Sequence, residues 1–362
     1  MILTIIVFIL ILGILIFAHE FGHFISAKKA GIKVEEFGFG FPPRIFSFKK
    51  GETTYSLNLI PVGGFVKIYG EERGKKKTRS KRAFYNRPAW QRAIVLVMGV
   101  IMNLLVAAIF LSIVHGIGVP SIVEKAQEAN YRNIQIQIAG VAKNSPAEKA
   151  GLKVGDAIQQ LTFNNERLTI KEVEDVQKFV AAHVGEEITI EIKRGKEVFQ
   201  KDIIPRISPP KDEGALGIAM AKTGIISYPW YLAIVKGFAS AGKLLITFIS
   251  LFYLLIKTLI LKGTMIGEVA GPVGIFGLTS QMVQLGWVYV LQFVAILSIN
   301  LVIINVLPFP ALDGGRLLFL AIEKIKGKPI KPQTEQLANS IGFAILIFLM
   351  IVITFRDVIK LF

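Results

Sequence analysis

The residues with most chemistry in this 362-residue chain are His19, Glu20 and His23. They read His-Glu-Phe-Gly-His, and on a helix positions i and i+4 share a face, so both imidazoles can bind one metal ion. Glu20 lies about 100° further round such a helix. It can touch a metal-bound water without being a ligand, which suits a general base. The plain alternative is a pair of helix-end histidines making ordinary hydrogen bonds. Against it, two of the chain's four histidines and a glutamate close a long apolar run, where ionisable groups are costly and usually functional. The chain has no Cys, which excludes disulfides, Fe–S clusters, thiol catalysis and Cys-ligated zinc.

A catalytic zinc takes three protein ligands and keeps one position open. Between Glu268 and Glu323 the sole acidic residue is Asp313, in the run Asn305-Val306-Leu307-Pro308-Phe309-Pro310-Ala311-Leu312-Asp313-Gly314-Gly315. Two prolines break a helix there and two glycines permit close backbone approach. Broken helix at membrane depth is tolerated where it lines a protein site or a wet cavity. The plain alternative is a helix-ending loop with a solvated Asp.

The elements that must carry these residues are membrane helices. The chain is 52% hydrophobic and 19% charged, against roughly 25% charged in a soluble domain. That excludes disorder and disfavours a wholly soluble enzyme. Residues 1–19, 93–123, 269–312 and 336–355 lack Asp, Glu, Lys and Arg. A span needs about 20 mostly apolar residues. Four crossings follow: 1–30 with the histidines, 89–118, 287–307 and 335–358. The first lacks a basic leader and an obvious cleavage site, so it is expected to stay on the protein.

The net charge of +16 is a topology signal. Residues 28–92 hold 16 Lys/Arg and 5 acids, whereas 121–225 hold 15 of each sign. By the positive-inside rule 28–92 is cytoplasmic, and the N-terminus and 121–225 are extracytoplasmic. Lys75-Lys76-Lys77 is read as a solvated linker touching anionic lipid. Nucleic acid is excluded as a partner. Segment 226–262 is apolar, yet Lys236, Lys243 and Lys257 fall at multiples of seven and mark one face. It is read as an interfacial helix, its lysines snorkelling. With it uncrossed, His19, about 26 Å along its helix, and Asp313 reach the same cytoplasmic end.

The His-Glu-Phe-Gly-His helix and the Asn-x-x-Pro-x-Pro-x-Leu-Asp-Gly-Gly segment together resemble the site-2 protease family of zinc intramembrane metalloproteases, in the bacterial branch that cleaves anti-sigma factors. The likeness covers the whole chain in the same order. It implies zinc held by His19, His23 and Asp313, with Glu20 as base and Asn305 contacting the substrate backbone or the transition state. It also implies a sheet re-entering the membrane beside the zinc. Within 31–88, Phe37, Phe39 and Phe41 alternate, as do Tyr55, Leu57 and Leu59, ended by Pro61 and Gly63-Gly64. Two or three short strands are expected, with Gly63, Gly64 and Phe65 as the edge that holds an extended substrate.

Residues 140–161, with Ser145-Pro146-Ala147, Gly151 and Gly155-Asp156, resemble a bacterial PDZ signature inside a domain spanning about 122–220. Ile188, Ile190 and Ile192 alternate into a hairpin at Arg194-Gly195. The domain is expected to filter ectodomains by size, or to contact a peptide. Residues 263–286 are read as a Gly/Pro-rich linker and 308–334 as a cytoplasmic loop. His115 is expected to be structural and His183 a surface residue.

The expected whole is a polytopic α-helical protein of the bacterial inner or plasma membrane, with a membrane-associated β-hairpin and one extracytoplasmic PDZ-like α+β domain. Its function is zinc-dependent cleavage of the transmembrane segments of single-pass proteins, including anti-sigma factors and remnant signal peptides. The rivals are a metal or solute transporter, for which the His/Asp cluster is a transit site, and a PDZ-bearing scaffold.

Overall fold

The computed structural model describes residues 1–71, 80–123, 128, 131–164, 166–195, 197–263 and 270–360. The lysine run 75–77 and residues 264–269 of the Gly/Pro segment lie outside them. The chain forms two compact units. One holds Met1–Ser112, Ile234–Val283 and Val290–Phe362; the other holds Ile113–Ala233 and Gln284–Tyr289.

The first unit is helical apart from one hairpin. Its long helices are α1 (Ile2–Lys29), α2 (Ala89–Ile117), α5 (Trp230–Lys262), α7 (Trp287–Val306) and α9 (Pro332–Ile359). All five are long and apolar enough to cross a membrane. Many of their exposed residues are Ile, Leu, Val and Phe, which suits a lipid surround. The chain is thus a multi-pass membrane protein. Val7, Ile11 and Leu15 of α1 pack on Val290, Phe293 and Val294 of α7. Ala107 and Ala108 of α2, Ala241 of α5 and Ala295 and Ile299 of α7 form a second cluster. Small residues let these helices approach closely. A methyl group on Gly237 of α5 would lie 2.1 Å from Ser112 Oγ.

Residues 263–286 are not all linker. Pro272–Leu285 forms helix α6. Composition alone reads Gly-Pro as a turn, but the backbone N–H groups of Gly271 and Gly274 both donate to Asp357 Oδ2 at 2.8 Å. A carboxylate 83 residues further on thus supplies the cap that the local sequence lacks. Asp313–Lys326, read as part of a loop, forms α8.

The hairpin consists of β1 (Val34–Lys50) and β2 (Thr53–Ile68). β2 does not stop at Pro61 and Gly63-Gly64; it bends there and returns to β1. Phe37 pairs with both Tyr55 and Val66, and Gly38 with both Ser56 and Phe65. The start of β1 therefore lies between two legs of β2. The positive φ of Gly63 (128°) is the backbone freedom that a β-carbon would deny.

The second unit is an α+β domain. Its strands are β3 (Val119–Ile122), β4 (Arg132–Val141), β5 (Ala157–Phe163), β6 (Glu166–Thr169), β7 (Ile188–Arg194), β8 (Glu197–Ile203) and β9 (Ile218–Ile226). Two short helices accompany them, α3 (Pro146–Lys149) and α4 (Val173–Ala182). The sheet order is β3-β9-β4-β5-β7-β8, with β6 on β5. Ile188, Ile190 and Ile192 are 0% exposed, as their alternation requires. Ser145 Oγ accepts the Glu148 N–H and caps α3, with Pro146 in the first turn. Asp156 accepts both Arg194 Nε and Nη2, at 2.6 and 2.7 Å, and the Lys153 N–H at 2.8 Å. His183 is not a plain surface residue. It is half-buried, packs at 4.2 Å from the Phe163 ring and 4.5 Å from the Phe179 ring, and bonds the Phe179 carbonyl.

Candidate metal centre

Four segments of the first unit build the site: α1, α2, the hairpin and the α7–α8 junction. α1 carries His19 and His23 one turn apart. α2 comes close enough to support them because both helices have glycine at the crossing. A methyl on Gly22 would lie 2.3 Å from the Met98 carbonyl oxygen. One on Gly99 would lie 2.4 Å from His23 Nε2 and 2.8 Å from His19 Cε1. The same stretch of α2 supplies the Val95 carbonyl, which accepts the Nδ1–H of His23 at 2.8 Å. That bond leaves Nε2 free to face the site.

Asp313 arrives through a tightly folded turn. Methyl groups on Gly314 and Gly315 would each come within 2.2 Å of backbone carbonyls, those of Leu307 and Phe309. Only hydrogen fits there. Ala311 takes a φ of 76°, and its N–H donates to Asn339 Oδ1 of α9 at 3.0 Å. Asp313 then opens α8. Three residues on, Arg316 pairs with Glu71 just beyond β2, tying α8 to the hairpin.

The three metal-type ligands meet. His19 Nε2 lies 3.1 Å from His23 Nε2 and 3.0 Å from Asp313 Oδ2, and His23 Nε2 lies 3.3 Å from the same oxygen. Tetrahedral zinc with ligand bonds near 2.1 Å holds its ligand atoms about 3.4 Å apart. The observed triangle is that size to within a few tenths of an ångström. Asp313 Oδ2 is buried and makes no hydrogen bond, although two ring nitrogens crowd it. A carboxylate and two imidazoles that face one another in this way fit a shared divalent cation.

Glu20 points from the neighbouring face of α1 toward β2. A methyl on Gly64 would lie 3.5 Å from Glu20 Cγ and 3.8 Å from Ile16. Gly64 therefore sits against the candidate base. It lies on the returning leg of β2, which pairs with β1 on one side only among the described residues. Gly63 and Phe65 turn to β1, packing on Phe41 and Gly38. Asn305 is half-buried on the last turn of α7, from which residues 306–312 lead to Asp313.

Sequence reasoning did not reach Val95, Gly99, Arg316 or Asn339. Val95 acts through its carbonyl, which any residue has, so no signal marked it. Gly99 did leave one, a glycine inside an apolar span.

The model of the family described as Peptidase family M50 matches residues 7–349. The regulator of sigma-W protease RasP of Bacillus subtilis is 31% identical, over 99% of this chain and 99% of its own length. The zinc metalloprotease RasP of Bacillus licheniformis is 32% identical over the same shares. The chain belongs to peptidase family M50. It is a zinc metalloendopeptidase, and Zn2+ is its cofactor.

Proposed function

We propose that His19, His23 and Asp313 hold the zinc, that Glu20 is the general base, and that the substrate is the membrane segment of a single-pass protein held along the returning leg of β2. The observation that carries this reading is the convergence of ligands from positions 19, 23 and 313, with Glu20 beside a one-sided strand edge. Zinc bound there supplies Lewis-acid polarisation of the scissile carbonyl and acidifies water. The Glu20 carboxylate takes the proton of the attacking water and delivers it to the leaving nitrogen. The Gly64 edge offers backbone hydrogen bonds to a chain that has left its helix, since a helical segment keeps its carbonyls occupied. Asn305 contacts the substrate backbone. The substrates are anti-sigma factors and remnant signal peptides, in regulated intramembrane proteolysis.

We further propose four crossings, by α1, α2, α7 and α9, with α5 at the interface. Asp313 meets the histidines, so the chain returns to their side of the membrane. A crossing by α5 would need a second one before α7, and α6, at 14 residues, spans about 21 Å of a 30 Å core. Residues 28–92 are cytoplasmic in this arrangement. The α+β domain is extracytoplasmic, PDZ-like, and acts by excluding bulky ectodomains. Its own β3 supports that reading. It pairs with β9 from Thr223 to Ile226, so a strand added to that edge has only Ile218–Lys222 to use.

The test is cleavage of a single-pass substrate by purified protein. Glu20→Gln should keep its zinc and lose roughly 10²–10⁴-fold in rate. An unchanged rate, with contaminating proteases excluded, would sink the assignment.

A further inference from the structure

Asn103 is 0% exposed in the middle of α2, and neither its side-chain oxygen nor its side-chain nitrogen has a hydrogen-bond partner. A buried amide without partners among apolar helices is costly. His19 Nδ1 is in the same condition, buried and unpartnered, whereas His23 Nδ1 bonds Val95. The two orphans belong to one neighbourhood. Gly99 touches both imidazoles, and Asn103 stands one turn beyond it on the same face, about 6 Å along the axis. α1 and α2 run antiparallel: His23 meets Val95 near one end, and Val7, Ile11 and Leu15 share a cluster with Val106 and Phe110 toward the other. Side chains lean toward the N-terminus of their own helix. His19 therefore leans toward the level of Asn103, and Asn103 leans back toward Gly99. The backbone of that turn is held, since Ser298 Oγ of α7 donates to the Asn103 carbonyl at 2.7 Å.

We propose that Asn103 is the outer partner of His19: its side-chain oxygen receives the His19 Nδ1–H through one bridging water, which fixes the ring on the metal. Asn103 is thus a positioning residue, and the inference rests on His19 being a zinc ligand. Metal-bound histidines commonly hold their second nitrogen this way, and loss of the partner costs about 10–100-fold in metal affinity.

The experiment compares wild type, Asn103→Leu and Asn103→Ser as purified full-length chains. Zinc affinity is measured by chelator competition, and the melting temperature is measured on the metal-free proteins. Leu is close in volume and removes the unpartnered amide, so the metal-free protein should be as stable as wild type or more so. Its zinc affinity should fall about 10–100-fold. Ser keeps an oxygen and room for the water, so its loss should be smaller. Wild-type affinity in Asn103→Leu would overturn the proposal. So would destabilisation of both metal-free variants with unchanged zinc affinity, which would assign Asn103 to packing. Absence of zinc from wild type itself would instead remove the underlying assignment of His19.

Discussion

Two carboxylates, one in each unit, are buried to different ends. Asp156 of the α+β domain is 0% exposed and fully satisfied, by a two-pronged Arg194 and the Lys153 N–H. Asp313 is also largely shielded, yet its Oδ2 has no hydrogen bond and faces only two imidazole nitrogens. The first carboxylate has its countercharge within 38 residues and holds a turn together. The second has its neighbours 290 residues away and lacks a cation of its own chain at the contact. A buried acid that the chain neutralises is structural; one opposed only by metal-type ligands implies an ion.

That contrast can be broken first at Asp156. Asp156→Ala leaves the half-buried Arg194 with only the Gly151 carbonyl, and should destabilise the α+β domain by about 1–3 kcal/mol. Zinc content should not change. Calorimetry on the full chain, with metal analysis alongside, checks both halves. A variant that lost zinc with its stability would erase the distinction between the two carboxylates.

A sharper probe is Gly99→Ala. The added methyl meets His23 Nε2 at 2.4 Å and His19 Cε1 at 2.8 Å, so the rings must shift. Displacement of about 1 Å in a catalytic site costs on the order of 100-fold. Cleavage rate and zinc affinity should both fall on that scale. Gly277→Ala is the control. Nothing lies within 4 Å of its methyl, and alanine favours helix by up to about 1 kcal/mol. Equal activity in the two variants would contradict the account of the α1–α2 crossing.

The smallest effect belongs to Asp175. Backbone N–H groups of Glu172 and Lys171 hold its carboxyl below the ordinary range. Its folded form therefore favours the ionised state. The capping contribution is complete above the ordinary carboxylate range, near pH 4, and fades as pH falls through the lowered value. Thermal melts of Asp175→Asn should differ from wild type at pH 7 and converge as pH falls below the ordinary carboxylate range. A difference that persists or grows in acid would reverse the sign.

Much of this arrangement was legible in the residues. His19, Glu20 and His23 carry their geometry in their spacing, because a helix fixes what i and i+4 share. Asp313 could be singled out because charge is scarce in the surrounding run. Ile188, Ile190 and Ile192 announced a half-buried strand by period two. Other features depend on distant partners and leave no local period. α6 is a helix because Asp357 caps it from α9. β2 runs on past Gly63 because β1 offers it a second edge. Val95 and Asn339 serve the site through a carbonyl and a capping amide, which become significant once α2 and α9 are packed in place.

The most direct measurement is zinc content of purified wild type and of Asp313→Ala by elemental analysis. The account predicts about one zinc per wild-type chain and sharply less in the variant, with the protein still folded. Full retention of zinc by Asp313→Ala would mean that the third ligand lies elsewhere, and would contradict both the site and the four-crossing arrangement built on it.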